Sequence, residues 1–199
     1  MAGTMQGINL WLIRHGETEI NSGNWSVKPA ETCLTALGRE QALKLSAKVI
    51  VQPDLLIISP LLRAQETAQF IQNQWPDAPS LTWPIQELIY LSPERLSVLD
   101  QSTRREEVRR YWQKNDPNYC DGEGAESFAS FLQRVNDFHA QILKQQGFIV
   151  AIGHGQFFKA FQLGLIHGFR ASSAWMNLFR QEELANPIKN GEIVQINLN

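Results

Sequence analysis

Two cysteines in 199 residues, Cys33 and Cys120, are too few and too far apart for a disulfide framework, a thiolate metal cage or a redox pair. Both are expected as free thiols. Neither sign of charge is in excess: 18 Lys and Arg against 20 Asp and Glu leave a formal net charge of -2. That excludes a dedicated nucleic-acid or membrane-surface binder, which needs a strong basic surplus. No apolar run approaches the length of a bilayer span. The first residues hold no basic region followed by a long apolar stretch, so a cytoplasmic protein is expected. The four histidines form no close pair and sit beside no carboxylate pattern, which leaves no metal site to expect. Repeats and low-complexity segments are also missing. What remains is 43% hydrophobic and 19% charged, long enough for one well-buried core. A single domain over residues 1–199 is expected.

The chain is organised around the stretch from Asn9 to Asn21. It begins as a short apolar run of strand type and breaks into Arg14-His15-Gly16, where glycine lets the backbone turn and approach a ligand closely. This places an arginine and a histidine at the carboxyl end of a buried strand, the rim at which open α/β sheets bind ligands. The planar fork of arginine fits phosphate or carboxylate, and an unmodified imidazole beside it can act as a nucleophile. A turn histidine bonded to backbone would give the same tripeptide.

The residues from Ser22 to Thr32, with Trp25, have no sustained period and read as a loop over that rim. Leu34 to Ile50 carries helical spacing with Thr35 as N-cap. Asp54 to Ile58 is a buried strand that turns at Ser59-Pro60 and delivers Arg63 to the start of a second helix, Ala64 to Asn73, beside the first strand end. Leu81 to Ile85 reads as a short edge strand because proline is poorly tolerated centrally. Ser92-Pro93-Glu94 starts a helix, and Gln101 to Lys114 is charged and helical. Its arginines, Arg104, Arg105, Arg109 and Arg110, suit a solvated face shared with Glu106 and Glu107, or a lid bringing positive charge to an anion. Glu126 to Leu143 is strongly amphipathic, with His139 structural or exposed and Gly147 as helix terminator. Phe148 to Ile152 is another buried strand, running into Gly153-His154-Gly155 and then a helix, with His167 in the loop beyond. Two strand-like pieces close the chain, Ser173 to Arg180 and Glu192 to Leu198, joined by a hairpin-like turn through Asn186-Pro187 and Asn190-Gly191. The alternation predicts an α/β domain with helices on both faces of the sheet.

Several of these segments together resemble the histidine phosphatases, the phosphoglycerate mutase-like superfamily. The resemblance rests on Leu12 to Thr18 with Asn21, on Leu34-Thr35 with Gly38, Gln41 and Ala42, and on Ser59-Pro60-Leu61 with Arg63, Ala64, Thr67 and Ala68. Gly124, Glu126 and Ser127, then Gly153-His154-Gly155, complete it in the family's order. It implies a three-layer α/β sandwich with a mostly parallel central sheet. It further implies a metal-independent phosphomonoester hydrolase, with no organic cofactor, that passes through a phosphohistidine on His15. Arg14, Arg63 and His154 would form the phosphate pocket, with Asn21 and Thr18 bonding phosphate oxygens or shaping the loop. A small phosphomonoester is the implied partner.

The residue types suit that chemistry. A phosphoryl group in flight spreads charge over three oxygens, so the protein has mainly to position it among fixed donors. The nucleophile needs an unprotonated ring nitrogen, which cationic neighbours favour, and a backbone carbonyl on its other nitrogen. Glu87 is the candidate acid for the leaving alcohol. It departs from the family pattern, since Leu88 to Pro93 replaces the usual glycine-containing segment. Glu126 is expected to anchor a loop instead. The segment from Glu87 to Gly124 would be a lid or insert that helps set the substrate. Three rivals stand beside the phosphatase: a phosphoglycerate mutase-type phosphotransfer, a pseudophosphatase that binds phosphoryl ligands without turnover, and a cysteine phosphatase on Cys33 and Arg39.

Overall fold

Alternation of side chains across a strand puts successive residues on opposite faces, and in this chain both faces are apolar, the pattern of a strand covered on both sides. The computed structural model describes residues 7–19, 21 and 29–198. In it β1 (Ile8–Arg14), β2 (Leu55–Ile58), β3 (Ser80–Thr82), β4 (Gly147–Gly153) and β5 (Ile193–Leu198) form one sheet in the order β3-β2-β4-β1-β5. β1, β2, β3 and β4 run parallel, and β5 is antiparallel to β1. Leu10, Leu12, Ile57, Ile149 and Ala151 face one layer of the core, and Ile13, Leu56, Ile58, Val150 and Ile152 face the other.

The second layer is covered by α1 (Ala36–Ser46) and α2 (Leu62–Gln74), through Leu45, Ala64, Ala68 and Ile71. The first is covered by α5 (Phe128–Ile142), α6 (Gly155–His167) and α7 (Ser173–Ala185), whose aromatic side chains interlock. Phe128 meets Phe179 at 5.3 Å between ring centres, and Phe138 meets Phe161 at 5.1 Å. The short α3 (Pro93–Ser97) and α4 (Gln101–Lys114) lie between β3 and α5 in the chain. Thr35, Ser92 and Ser127 cap their helices through side-chain oxygens, each accepting from an N–H three residues on. The chain therefore has the expected α/β architecture, with helices on both faces of a mostly parallel sheet.

Five readings from sequence need correction. Ser173 to Arg180 belongs to a helix, so no hairpin joins it to β5. Ser172 caps that helix, and Trp175, Met176 and Phe179 bury one helical face. His167 is the last residue of α6, not a loop residue. Gly147 opens β4 at φ +80°, pressed against Asp54, and α5 has already ended at Ile142. β3 stops at Thr82: Trp83 N–H still donates to Ile58 O at 3.1 Å, but Pro84 has no N–H with which to continue the ladder. The ends of β1 and β2 are not neighbours, because β4 lies between them. Residues 22–28 of the Trp25 loop lie outside the described residues, and Pro29–Glu31 at its end form a 3-10 turn.

Candidate active site

Register brings the site together before any side chain does. Arg14 pairs with Gly153 across β1 and β4, and Ile58 pairs with Ile152 across β2 and β4. The residues that follow, His15, His154 and Ser59, therefore leave the sheet side by side. The ladder runs past the strand ends: His15 N–H donates to Gly153 O and Ser59 N–H to Ile152 O, each at 3.0 Å.

The turn after β1 is pressed onto the start of α1, and this explains two of the glycines. A Cβ on Gly16 would overlap the carbonyl oxygen of Gly38, and one on Gly38 would overlap that of Glu17. Around this contact Gly16 N–H donates to Thr67 Oγ1 (3.1 Å), Glu17 N–H to Gln41 Oε1 (2.8 Å) and Thr35 N–H to Glu17 O (2.9 Å). The Thr35, Gly38, Gln41 and Thr67 positions thus hold the His15 loop in place.

His15 is buried, 2% exposed, with Nδ1 2.7 Å from Gly16 O. A carbonyl only accepts, so Nδ1 carries the proton and Nε2 keeps its lone pair. Arg63 Nε donates to that nitrogen at 3.1 Å. Burial first, then the Arg63 charge, push the His15 pKa down to about 3, with the Gly16 bond opposing and Arg14 adding a lesser downward pull. The ring is therefore a free base at neutral pH. His154 is fully buried, and burial with Arg63 beside it holds its pKa well below the ordinary value. Its Nε2 shares a 2.8 Å hydrogen bond with Ser59 Oγ, and its Nδ1 is buried without a partner. The two imidazoles meet edge to face at 5.0 Å.

Arg63 is buried in the first turn of α2, and Arg14 Nη1 donates to Ile188 O at 2.6 Å while Arg14 Nε is left unpartnered. Arg14 also packs against Gly155, where a Cβ would come within 3.3 Å of its side chain. Neither α2 nor α6 has a side-chain cap at its amino terminus. Two cations and the starts of two helices, the second with its Gln156 N–H taken by Glu87, thus lie around the strand ends, an arrangement that can receive a tetrahedral anion.

Glu87 opens onto the same cavity, of about 360 Å³, as Arg14, His15, Thr18, Asn21 and Arg63. Its Oε1 accepts from Gln156 N–H at 3.0 Å, and burial raises its pKa against the pull of Arg14 and Arg63. The backbone on both sides of it is clamped: Arg134 donates to Pro84 O and Gln86 O, and Glu126 N–H donates to Ile89 O. Arg134 and Glu126 are themselves paired at 2.5 Å, which gives Glu126 the anchoring position expected of it.

Asn21 is held on the loop rather than aimed freely, since its Oδ1 accepts from Thr18 and from Asn190. Asn190 Nδ2 also donates to His15 O. Reading the sequence missed Asn190, Ile188, Ser59 and Arg134. Ser59 and Thr67 stood inside matched motifs without a role assigned. Asn190 looked like a turn residue, and only its contact with His15 gives it another task. Cys33 and Cys120 are exposed free thiols, and Arg39 faces Glu66 from inside α1, so no phosphate loop forms there. The described residues contain no cluster able to hold a metal ion and no helix long and apolar enough to cross a membrane.

The family model of the histidine phosphatase superfamily, branch 1, matches residues 10–183. The adenosylcobalamin/alpha-ribazole phosphatase of Escherichia coli is 30% identical over 171 residues, covering 84% of this chain and 83% of its own. The alpha-ribazole phosphatase structure from Shigella flexneri superposes with a TM-score of 0.72 at 27% identity, covering 96% of this chain and 91% of that one. A mycobacterial glucosyl-3-phosphoglycerate phosphatase shares the fold at a TM-score of 0.70 and 21% identity, over 94% and 90% of the two chains.

Proposed function

The chain belongs to the histidine phosphatase superfamily, branch 1, and from that premise we propose that it hydrolyses small phosphomonoesters through a phosphohistidine on His15. The observation that carries the assignment is the His15 ring: buried on the cavity floor, with Nδ1–H fixed on Gly16 O and Nε2 unprotonated. In the first step Nε2 attacks phosphorus and the ester oxygen leaves. Arg14 and Arg63 hold the phosphoryl oxygens, and the charge they supply grows in worth as negative charge spreads over them. Ser59 donates to His154 Nε2, so that His154 Nδ1–H gives the phosphoryl group a further donor. Asn21 and Thr18 close the pocket from the loop side.

Glu87, protonated in its desolvated setting, gives the leaving oxygen its proton. The resulting carboxylate then takes a proton from the water that attacks the phosphohistidine, which returns His15 and releases phosphate. No step calls for a metal or an organic cofactor. The segment from Glu87 to Gly124 is the insert that closes the cavity on its outer side. A cytoplasmic place of action is part of the same reading, supported by the even charge and ordinary globular composition.

Phosphate release from p-nitrophenyl phosphate, with and without EDTA, tests this. Turnover should be unaffected by the chelator and fall roughly 10³-fold or more in His15→Ala. Rapid quenching of the native enzyme should trap a phosphoryl adduct on His15. Full activity in His15→Ala would sink the assignment.

A further inference from the structure

Beyond the phosphate floor, the cavity changes character. Its outer lining is Leu61, Ile89, Tyr90, Pro93, Leu96 and Val108, each half-buried, so the apolar surface they leave open is turned at least partly into this space. Among the described residues, the Arg, His and Glu side chains lining the cavity are Arg14, His15, Arg63 and Glu87, all at the floor.

The cations of the surrounding helices are committed elsewhere. Arg95 holds Asp121 and Glu107, both at 2.6 Å; Arg110 holds Glu107 at 2.7 Å; and Arg104 donates to Leu96 O at 2.8 Å. Arg105, Arg109 and Arg110 are exposed on α4, whereas Val108 of the same helix lines the cavity. So the helix offers its apolar face to the cavity, and Arg105, Arg109 and Arg110 lie on a solvated face, whereas Arg104 turns back onto α3. The wall is also firm: Tyr90 packs on Tyr111 and Trp112, with ring centres 4.7 and 5.3 Å apart.

Against this wall a hydroxylated or carboxylated leaving group would give up water for contacts that, among the described residues, are carbon apart from the Tyr90 hydroxyl, with Thr18 and Asn21 lying toward the floor, which is costly. An alkyl or aryl group would gain by burial. Resting on the phosphatase reading above, we infer that the substrates of this enzyme are phosphomonoesters whose alcohol is apolar, bound with the hydrocarbon against the Leu61, Ile89, Leu96 and Val108 wall.

A homologous series separates this from leaving-group reactivity, since straight-chain primary alcohols from ethyl to hexyl differ little in acidity. kcat/KM for the n-alkyl phosphates should climb by up to about fourfold per methylene until the cavity is filled. Glycerol 3-phosphate and 3-phosphoglycerate should fall below propyl phosphate. In Leu96→Ala and Val108→Ala the slope of the series should flatten, whereas acetyl phosphate, too small to reach the wall, reports the floor alone. Turnover of acetyl phosphate with a flat alkyl series, or with glycerol 3-phosphate preferred, would overturn the apolar-alcohol inference and leave the phosphatase intact. Failure to turn over acetyl phosphate or any alkyl ester would overturn both.

Discussion

At the floor of the cavity, rings and guanidinium groups are buried and aimed by backbone carbonyls and by each other, with Arg14 Nε and His154 Nδ1 left over. At the outer wall the charged groups of α3 and α4 bond among themselves on the solvent side, and carbon faces inward. One end of the cavity is built to hold charge and the other to shed water. A phosphate monoester has the same two ends. Reaction chemistry on this reading needs fixed donors and a fixed tautomer, and therefore particular residues. Selection among alcohols needs only an apolar face of suitable size, which many helices could supply.

The sharpest way to break the contrast is at the boundary between the two ends. Glu87→Gln should lower kcat for alkyl phosphates by about 10² to 10⁴, the usual reach of a general acid, and much less for p-nitrophenyl phosphate. Its pH dependence has a definite sign. Burial raises the Glu87 pKa, so the proton-donating form persists above the ordinary carboxylate range and activity falls as pH rises through that raised value. The alkaline fall should disappear in Glu87→Gln. On the acid side His15, with its pKa at about 3, stays a free base until near that pH. An unchanged alkaline limb in the variant would move the acid elsewhere.

Within the floor, Ser59→Ala removes the partner of His154 Nε2 and frees the ring to turn. A loss of about tenfold in kcat, with KM for alkyl phosphates little changed, is the expected outcome of one lost buried hydrogen bond. Wild-type kinetics would mean that Ser59 does not orient the imidazole. On the far side of the wall, Arg105→Ala and Arg109→Ala should alter kcat/KM by about twofold or less, as solvated charges do. A tenfold fall for anionic alcohols would restore the charged-lid alternative and put charge at both ends of the cavity.

The same contrast decides what could be read from the sequence. The floor was legible because each of its parts has a local signature: an apolar strand, then a glycine-flanked histidine, or a strand turning through Ser59-Pro60 into Arg63. The family motifs reinforced that reading. Asn190 and Arg134 were not legible, since their roles lie in bonds to backbone atoms brought close only by folding. α7 misled for a related reason. Trp175, Met176, Leu178 and Phe179 form a short run rich in large apolar side chains, which reads as a strand, whereas the buried set Trp175, Met176 and Phe179 is helical once Phe128 lies against it. The wall was least legible, because nothing in the spacing of Val108 among arginines says which face of the helix meets the substrate.

Arg14 leans on Ile188, 174 positions further along the chain, and β1 is hydrogen-bonded on one side to β4 and on the other to β5. His15 leaves the ribosome well ahead of the β4 and β5 residues that flank its strand. Until residues 147–198 arrive, β1 has no neighbour on either side, and the carbonyls that fix Arg14 and pair with His15 do not yet exist. Pairings of such long range come late in folding, after the loop-closure entropy has been met. An unfinished chain therefore carries the whole Arg14-His15-Gly16 signature without the bonds to Gly153 and Ile188 that orient it.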